Sequence, residues 1–499
     1  MSTRTLCLPA ALFLALGTRL ARQSYSSCPA FWKEDIHKKF DCIGALFSAS
    51  PAHLTFSGIP PNNGLPLGVA VETKTHYVSP GTRLPDLNID DPGTRPDTGY
   101  LSLTDVLLAG AVSTNQSWYA TGSFSWLPPL HYRDIIDNGV TYHKLGPLKT
   151  RQVFGIQLYS THRSVKDVSL YGEGAQSGTT EYAFKLSETY TGAIARLPLT
   201  PWLAATGQIE YRQVSLPADN DPLSVQHNFS EATAPGLYAQ PGFMHYVVGA
   251  STDAMWLSEP ASPKETVVPN PNAPQPCLMK HRIVFRLQNR AGYSWYQDLD
   301  TGHYSFRQLA FTGDESMHFG GVFQKYFDDK SHPAAFPFLR FVCGGTGHGK
   351  GTGAVKDAFK KDDVCDLGQF DFKTRFVISQ TSQGNIVPFY YQPTLGGSDI
   401  ESNLTLRGYP DYRFRGTNLA LMQIEYSKPV PAIDPVGILA FYDAGSVALP
   451  GQSYHMVPFR QDGGLGETLR LRGNIMFQAY AAMGAGHGVQ WGYNLAKLF

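Results

Sequence analysis

Segments in which apolar and polar residues alternate recur from residue 68 to the end of the chain. Beyond the N-terminus no stretch offers the ~18 uninterrupted apolar residues that a membrane-crossing helix needs. A period of two puts successive side chains on opposite faces of a strand, so these segments predict strands with one apolar and one mixed face. In 68-GVAVETKTHYV-78, Val69, Val71, Thr73, Thr75 and Tyr77 share a face, and Ala70, Glu72, Lys74 and His76 share the other. In 117-SWYATGSFSWL-127, Trp118, Ala120, Phe124 and Trp126 oppose Ser117, Thr121 and Ser123. In 151-RQVFGIQLYST-161, Phe154, Ile156 and Leu158 oppose Gln157 and Thr161. In 202-WLAATGQIEYR-212, Leu203, Ala205, Ile209 and Tyr211 oppose Thr206, Gln208, Glu210 and Arg212. In 282-RIVFRLQNR-290, Ile283, Phe285 and Leu287 oppose Arg282, Arg286, Gln288 and Arg290.

Alternation alone fits a secreted soluble β-protein as well as a closed transmembrane barrel. Composition narrows the choice only partly. Charged residues make up 16% of the chain, against roughly 25% in ordinary soluble domains. There are 49 Gly, 26 Tyr and 29 Phe in 499 residues. The faces say more: one collects Arg, Glu, Gln and small residues, the other aromatics near strand ends. That is the pattern of a polar lumen, an apolar outer band and aromatic girdles. Closure would also remove the sheet edges that hydrocarbon cannot satisfy. About sixteen candidate strands follow residue 68, and no internal repeat or second globular domain is visible. Tight turns at 113–116 and 472–474, against long loops at 79–99, 215–236 and 257–276, predict short connections at one end and long ones at the other.

Other function classes find little support. Lys+Arg equals Asp+Glu at 41 each, which gives none of the basic excess of a nucleic-acid binder. The 15 His are scattered, and neither HExxH nor GxSxG occurs, so no enzyme and no metal or other cofactor is expected. The stretch 344-GGTGHGKGTG-353 only loosely resembles a phosphate-binding loop: Gly351 follows Lys350 where Ser or Thr should hold magnesium.

Arg4 followed by 6-LCLPAALFLALG-17 reads as an export signal over 1–27. Residues 28–66 would form a short periplasmic or plug segment, with a helix over 30–47, and 67–499 the barrel. An exported chain meets oxidising surroundings. A disulfide Cys343–Cys365 would close the Gly/Lys-rich loop and Cys28–Cys42 a second one, leaving Cys277 over; the connectivity is open.

The C-terminal part carries the most specific pattern. Leu406-Arg407-Gly408-Tyr409, followed by Phe414-Arg415-Gly416, sits where an extended run breaks into a loop. Phe441-Tyr442-Asp443-Ala444-Gly445 lies in a strand whose Leu439, Phe441, Asp443 and Gly445 share one face, with Glu425 in the strand before. Gly464 and Gly466 open a later strand. The last strand, 489-VQWGYNLAKLF-499, turns Val489, Trp491, Tyr493, Leu495 and Phe499 outward. An isolated carboxylate on a lumen face is costly. A loop arginine entering the lumen would supply its partner, and Gly445 would leave room for the loop.

Together these features resemble the bacterial surface-antigen barrels of the BamA/TamA superfamily. The resemblance covers roughly 387–499. It implies that Arg407, Gly408 and Tyr409 lie on a long extracellular loop folded into the lumen, with the arginine docked on the inner wall, and that the terminal Phe499 belongs to an assembly signal. It further implies an outer-membrane barrel in contact with lipid, with a role in outer-membrane protein assembly or translocation and with other outer-membrane proteins or the assembly machinery as partners. The barrel is expected to be a monomer. Too few residues precede the barrel for the periplasmic POTRA domains of that family. A passive or gated pore lined by Arg282, Arg286 and Arg290, and a surface interaction protein acting through its long loops, are the alternatives.

Overall fold

The computed structural model describes residues 52–55, 66–78, 100–131, 154–200, 202–257, 283–320, 366–382, 384–430, 436–452, 457–471 and 474–495. The described residues form eighteen strands: β1 (Ala52–Thr55), β2 (Pro66–Val78), β3 (Tyr100–Ser113), β4 (Trp118–His131), β5 (Gly155–Leu170), β6 (Tyr182–Thr200), β7 (Leu203–Ser215), β8 (Gly242–Leu257), β9 (Ile283–Asp298), β10 (Phe306–Gly320), β11 (Asp366–Thr381), β12 (Thr394–Leu395), β13 (Phe414–Arg415), β14 (Asn418–Pro429), β15 (Val436–Ala448), β16 (Arg460–Leu471), β17 (Asn474–Gly484) and β18 (Val489–Leu495). Sixteen form one antiparallel sheet in chain order, while β12 and β13 make a two-stranded ribbon of their own.

The sheet is inside-out relative to a soluble protein. Leu158 (52% exposed), Phe124, Ile209, Tyr211, Ile438, Tyr442 and Trp491 (83%) stand on the outer face. Glu188, Glu210 (1%), His245 and Asp443 (0%) are buried on the inner one. Apolar side chains exposed on one face of strand after strand, over a buried polar interior, are the arrangement of a transmembrane barrel. The faces assigned from alternation hold in β4, β5, β7, β15 and the described part of β18.

Residues far apart in strand order meet across the interior, so the sheet curls upon itself. Arg460 of β16 donates to the Ala175 carbonyl between β5 and β6 at 2.9 Å. Arg163 of β5 reaches Ile400, in the segment between β11 and β14, at 2.9 Å. That segment, 382–417, lies in the lumen. One end of the barrel is closed over it by an apolar dome: Val165, Leu170, Phe184 and Val214 of the wall pack with Val225, Leu237, Phe389, Tyr390 and Tyr412 of the connections.

Two expectations are corrected. The sheet begins before residue 67, because β1 pairs with β2 from Ala52↔Val71 to Thr55↔Gly68; the segment 28–66 is therefore not all plug. Nor do the connections divide into a short end and a long end. Strand order places the tight β3–β4 turn, Ser113 to Trp118, at the same end as the long β7–β8 connection and the lumen segment. The long steps from Val78 to Tyr100 and from Leu257 to Ile283 share the opposite end with the short one from Leu471 to Asn474. The proposed signal, all the cysteines, the glycine-rich stretch and Phe499 lie outside the described residues.

Candidate functional site: the lumen loop and its wall

The loop enters the lumen through a narrow neck. β12 pairs with β13 through Thr394↔Arg415 and Leu395↔Phe414. Gly397 N donates to Leu406 O and Thr405 N to Gly397 O, both at 2.8 Å. Gly396 sits at φ 112° with the Pro410 carbonyl 2.4 Å from where a Cβ would stand, a place for no residue but glycine. The neck projects Arg407 toward β14 and β15.

There Arg407 Nε donates to Asp443 Oδ2 and Nη2 to Asp443 Oδ1, each at 2.8 Å. Its Nη1 donates to Glu425 Oε2 at 2.6 Å. The guanidinium also stacks 3.5 Å from the centre of the Phe441 ring. A planar fork that satisfies one carboxylate bidentately and a second singly is what arginine offers and lysine does not. Burial opposes the charge on Arg407, but the two carboxylates outweigh it and hold the guanidinium's pKa above its usual value. The carboxylates have further donors: Gln423 Nε2 reaches Asp443 Oδ1 at 3.2 Å, and Gln478 Nε2 reaches Glu425 Oε1 at 3.1 Å.

The structure thus brings together Arg407, Glu425, Phe441 and Asp443. The predicted glycines fit around them. A Cβ on Gly464 would stand 2.5 Å from the Phe441 ring, and one on Gly466 2.9 Å from Tyr480 Cβ; both make room for those aromatics under the arginine. Gly445 leaves space for Leu395 of the loop, 3.0 Å from its missing Cβ. Gly408 lies against the wall, where a Cβ would meet Gly484 N at 2.5 Å.

The rest of the motif anchors elsewhere. Tyr409 hydroxyl donates to Gln461 O at 3.2 Å, and its ring meets Phe414 edge-on. Arg415 Nη1 donates to Phe389 O at 2.7 Å, and burial lowers its pKa to about 10, partly offset by Glu173. Gly416 N donates to Pro393 O at 3.3 Å. Of the terminal strand, Val489 and Trp491 face outward; Phe499 is outside the described residues.

Sequence reasoning missed a second anchorage. Asp399 accepts from Arg375 Nη1 of β11 at 2.5 Å, and Arg163 holds both Ile400 O and Glu188, the latter at 2.6 Å. Behind them Glu210 accepts from Tyr159 and Arg212 and lies 2.6 Å from His245 Nδ1. The loop therefore bridges the lumen from the wall formed by β11, β14 and β15 to β5. A cavity of about 110 Å³ beside it is lined by Arg163, Arg212, Arg375, Tyr296 and Tyr391. Gln423 was legible, since it shares Glu425's face two residues away. The cross-lumen partners carried no local signal.

No protein-family model and no curated protein matches this sequence. Among solved structures the chain is similar to BamA from Haemophilus ducreyi lacking POTRA domains 1–3, with 12% identity, a TM-score of 0.42, and coverage of 85% of this chain and 69% of that one. It is similar to CdiB from Acinetobacter baumannii at 10% identity and a TM-score of 0.40, covering 89% of this chain and 58% of that one. Pseudomonas aeruginosa OccK5 (OpdH) follows at 8% identity and a TM-score of 0.24, over 88% of this chain and 97% of that one.

Proposed function

We propose that this chain is an outer-membrane barrel whose lumen is shut by its own loop and which assists the assembly or translocation of other outer-membrane proteins, without enzymatic activity. The observation that carries the reading is the Arg407 latch, a buried guanidinium shared by Asp443 and Glu425 on the inner wall. The residues that build it are those of the motif resembling the BamA/TamA superfamily. β1 and β18 end the sheet order, and a seam between first and last strands is where such a barrel would open at least cost. Its working partners would be the lipid around the band and nascent barrels at that seam.

A passive pore is the weaker reading. Arg286 is half-exposed toward the lumen beside Asp253 at 3.4 Å, as a solute path would require. The dome and the bridging loop, however, occupy the way through.

Conductance of the purified barrel in a planar bilayer tests this, wild type beside Arg407→Ala. Small, flickering wild-type conductance that opens in the variant is expected. Large, steady conductance in both would sink the proposal and leave a pore.

A further inference from the structure

Asp443 does not stand alone on the wall. β15 and β16 place Asp462 directly opposite it in register, on the same buried inner face. Both are buried, Asp443 at 0% and Asp462 at 4% exposure. Their surroundings differ sharply. Asp443 receives Arg407 Nε, Nη2 and backbone N together with Gln423 Nε2. Neither oxygen of Asp462 finds a hydrogen-bond donor in good geometry among the described residues; the Gly408 N–H is the backbone donor beside it.

An ionised carboxylate so buried, without a donor in good geometry and opposite a second carboxylate, is strongly disfavoured. The charged and titratable groups that face it are Asp443 from β15, Arg407 and Tyr409 from the loop, Tyr480 from β17 and Arg460 on its own strand. Of the two guanidiniums, that of Arg407 is committed to Asp443 and Glu425, and that of Arg460 donates to the Ala175 carbonyl.

We propose that Asp443 and Asp462 share one proton, carried by Asp462 and donated to Asp443, and that this proton is a part of the loop latch. With the proton in place Arg407 faces two carboxylate charges, those of Asp443 and Glu425, rather than three. Loss of the proton to lumen water leaves two adjacent anions pressed against Gly408, and the loop is pushed off the wall. The latch is then released by rising pH. This concerns the loop itself and stands whether or not the barrel handles other proteins.

The test uses the full chain refolded in lipid, with Asp411→Asn as background to remove another buried loop carboxyl. Infrared spectra at neutral pH should show the carbonyl band of a protonated carboxyl that Asp462→Asn abolishes. Loop release, followed by a fluorophore on the loop, should accelerate about tenfold, the equivalent of one pK unit, from mildly acid to alkaline pH, and Asp462→Asn should flatten that dependence. Absence of the band, or its persistence in Asp462→Asn, overturns the proposal. So does a release rate independent of pH in the Asp411→Asn background, a result that needs no Asp462 variant to fold. Stabilisation by sodium or calcium ions at fixed pH, lost in Asp462→Asn, would assign the site to a cation instead.

Discussion

Arg407 and Asp443, 36 positions apart in the chain, meet as a bidentate pair in which both nitrogens lie 2.8 Å from the carboxylate oxygens. Removing one member strands the other in the wall. Arg407→Ala or Asp443→Ala should each destabilise the docked loop by about 3–5 kcal/mol, the usual cost of leaving a buried charge unpaired. The double variant should be no worse than either single one. Thermal unfolding of the refolded barrel measures this; strictly additive losses would mean that the pair does not act as a unit.

The second anchorage should behave differently. Arg375→Ala takes one partner from Asp399, which still accepts from Glu401 N and Asn403 N. A local loss of about 1–3 kcal/mol is expected, visible as faster proteolysis within 398–404. Combined with Arg407→Ala, the losses should add, since Arg375 and Arg407 share no hydrogen-bond partner.

Close approach makes Gly408 a sharp probe. A methyl there would meet backbone at 2.5 Å on β17, so Gly408→Ala should cost about 1–3 kcal/mol by overpacking. Gly207→Ala, on β7 with nothing within 4 Å of the added atom, should stay within about 0.5 kcal/mol of wild type. Equal melting temperatures for the two would contradict the contact.

Asp411 gives the loop a pH dependence of its own. Burial raises its pKa to about 6, against the pull of its hydrogen bonds with Ser398. The docked loop thus holds a proton that a free aspartate, at about 3.9, gives up. Docking should be strongest below about pH 4 and weaken as pH rises through about 6. Asp411→Asn should remove that slope in a melting series across this range.

Period two was enough to read the strands and the facing of Asp443, Glu425 and Gly445, because those facts are local. Arg407 was legible because its loop motif has a fixed spacing. What escaped depends on curvature. Arg163 and Ile400 are 237 positions apart, and Arg460 and Ala175 are 285 apart. Nothing in either segment announces which strands will face each other once the sheet curls. Asp462 escaped for a related reason: its environment is defined by what β15 and the loop leave unsatisfied. The strand β1 was hidden by its 4-residue length.

The strict succession of antiparallel strands also fixes a two-colour map of the molecule. Every connection belongs to one of two compartments by the parity of the strands it joins, whatever its length. A reagent that reaches a cysteine introduced at Asp221, between β7 and β8, is on the wrong side for one introduced between β8 and β9. A single pair of labels on intact membranes would therefore assign the sidedness of all fifteen steps between the sixteen strands at once.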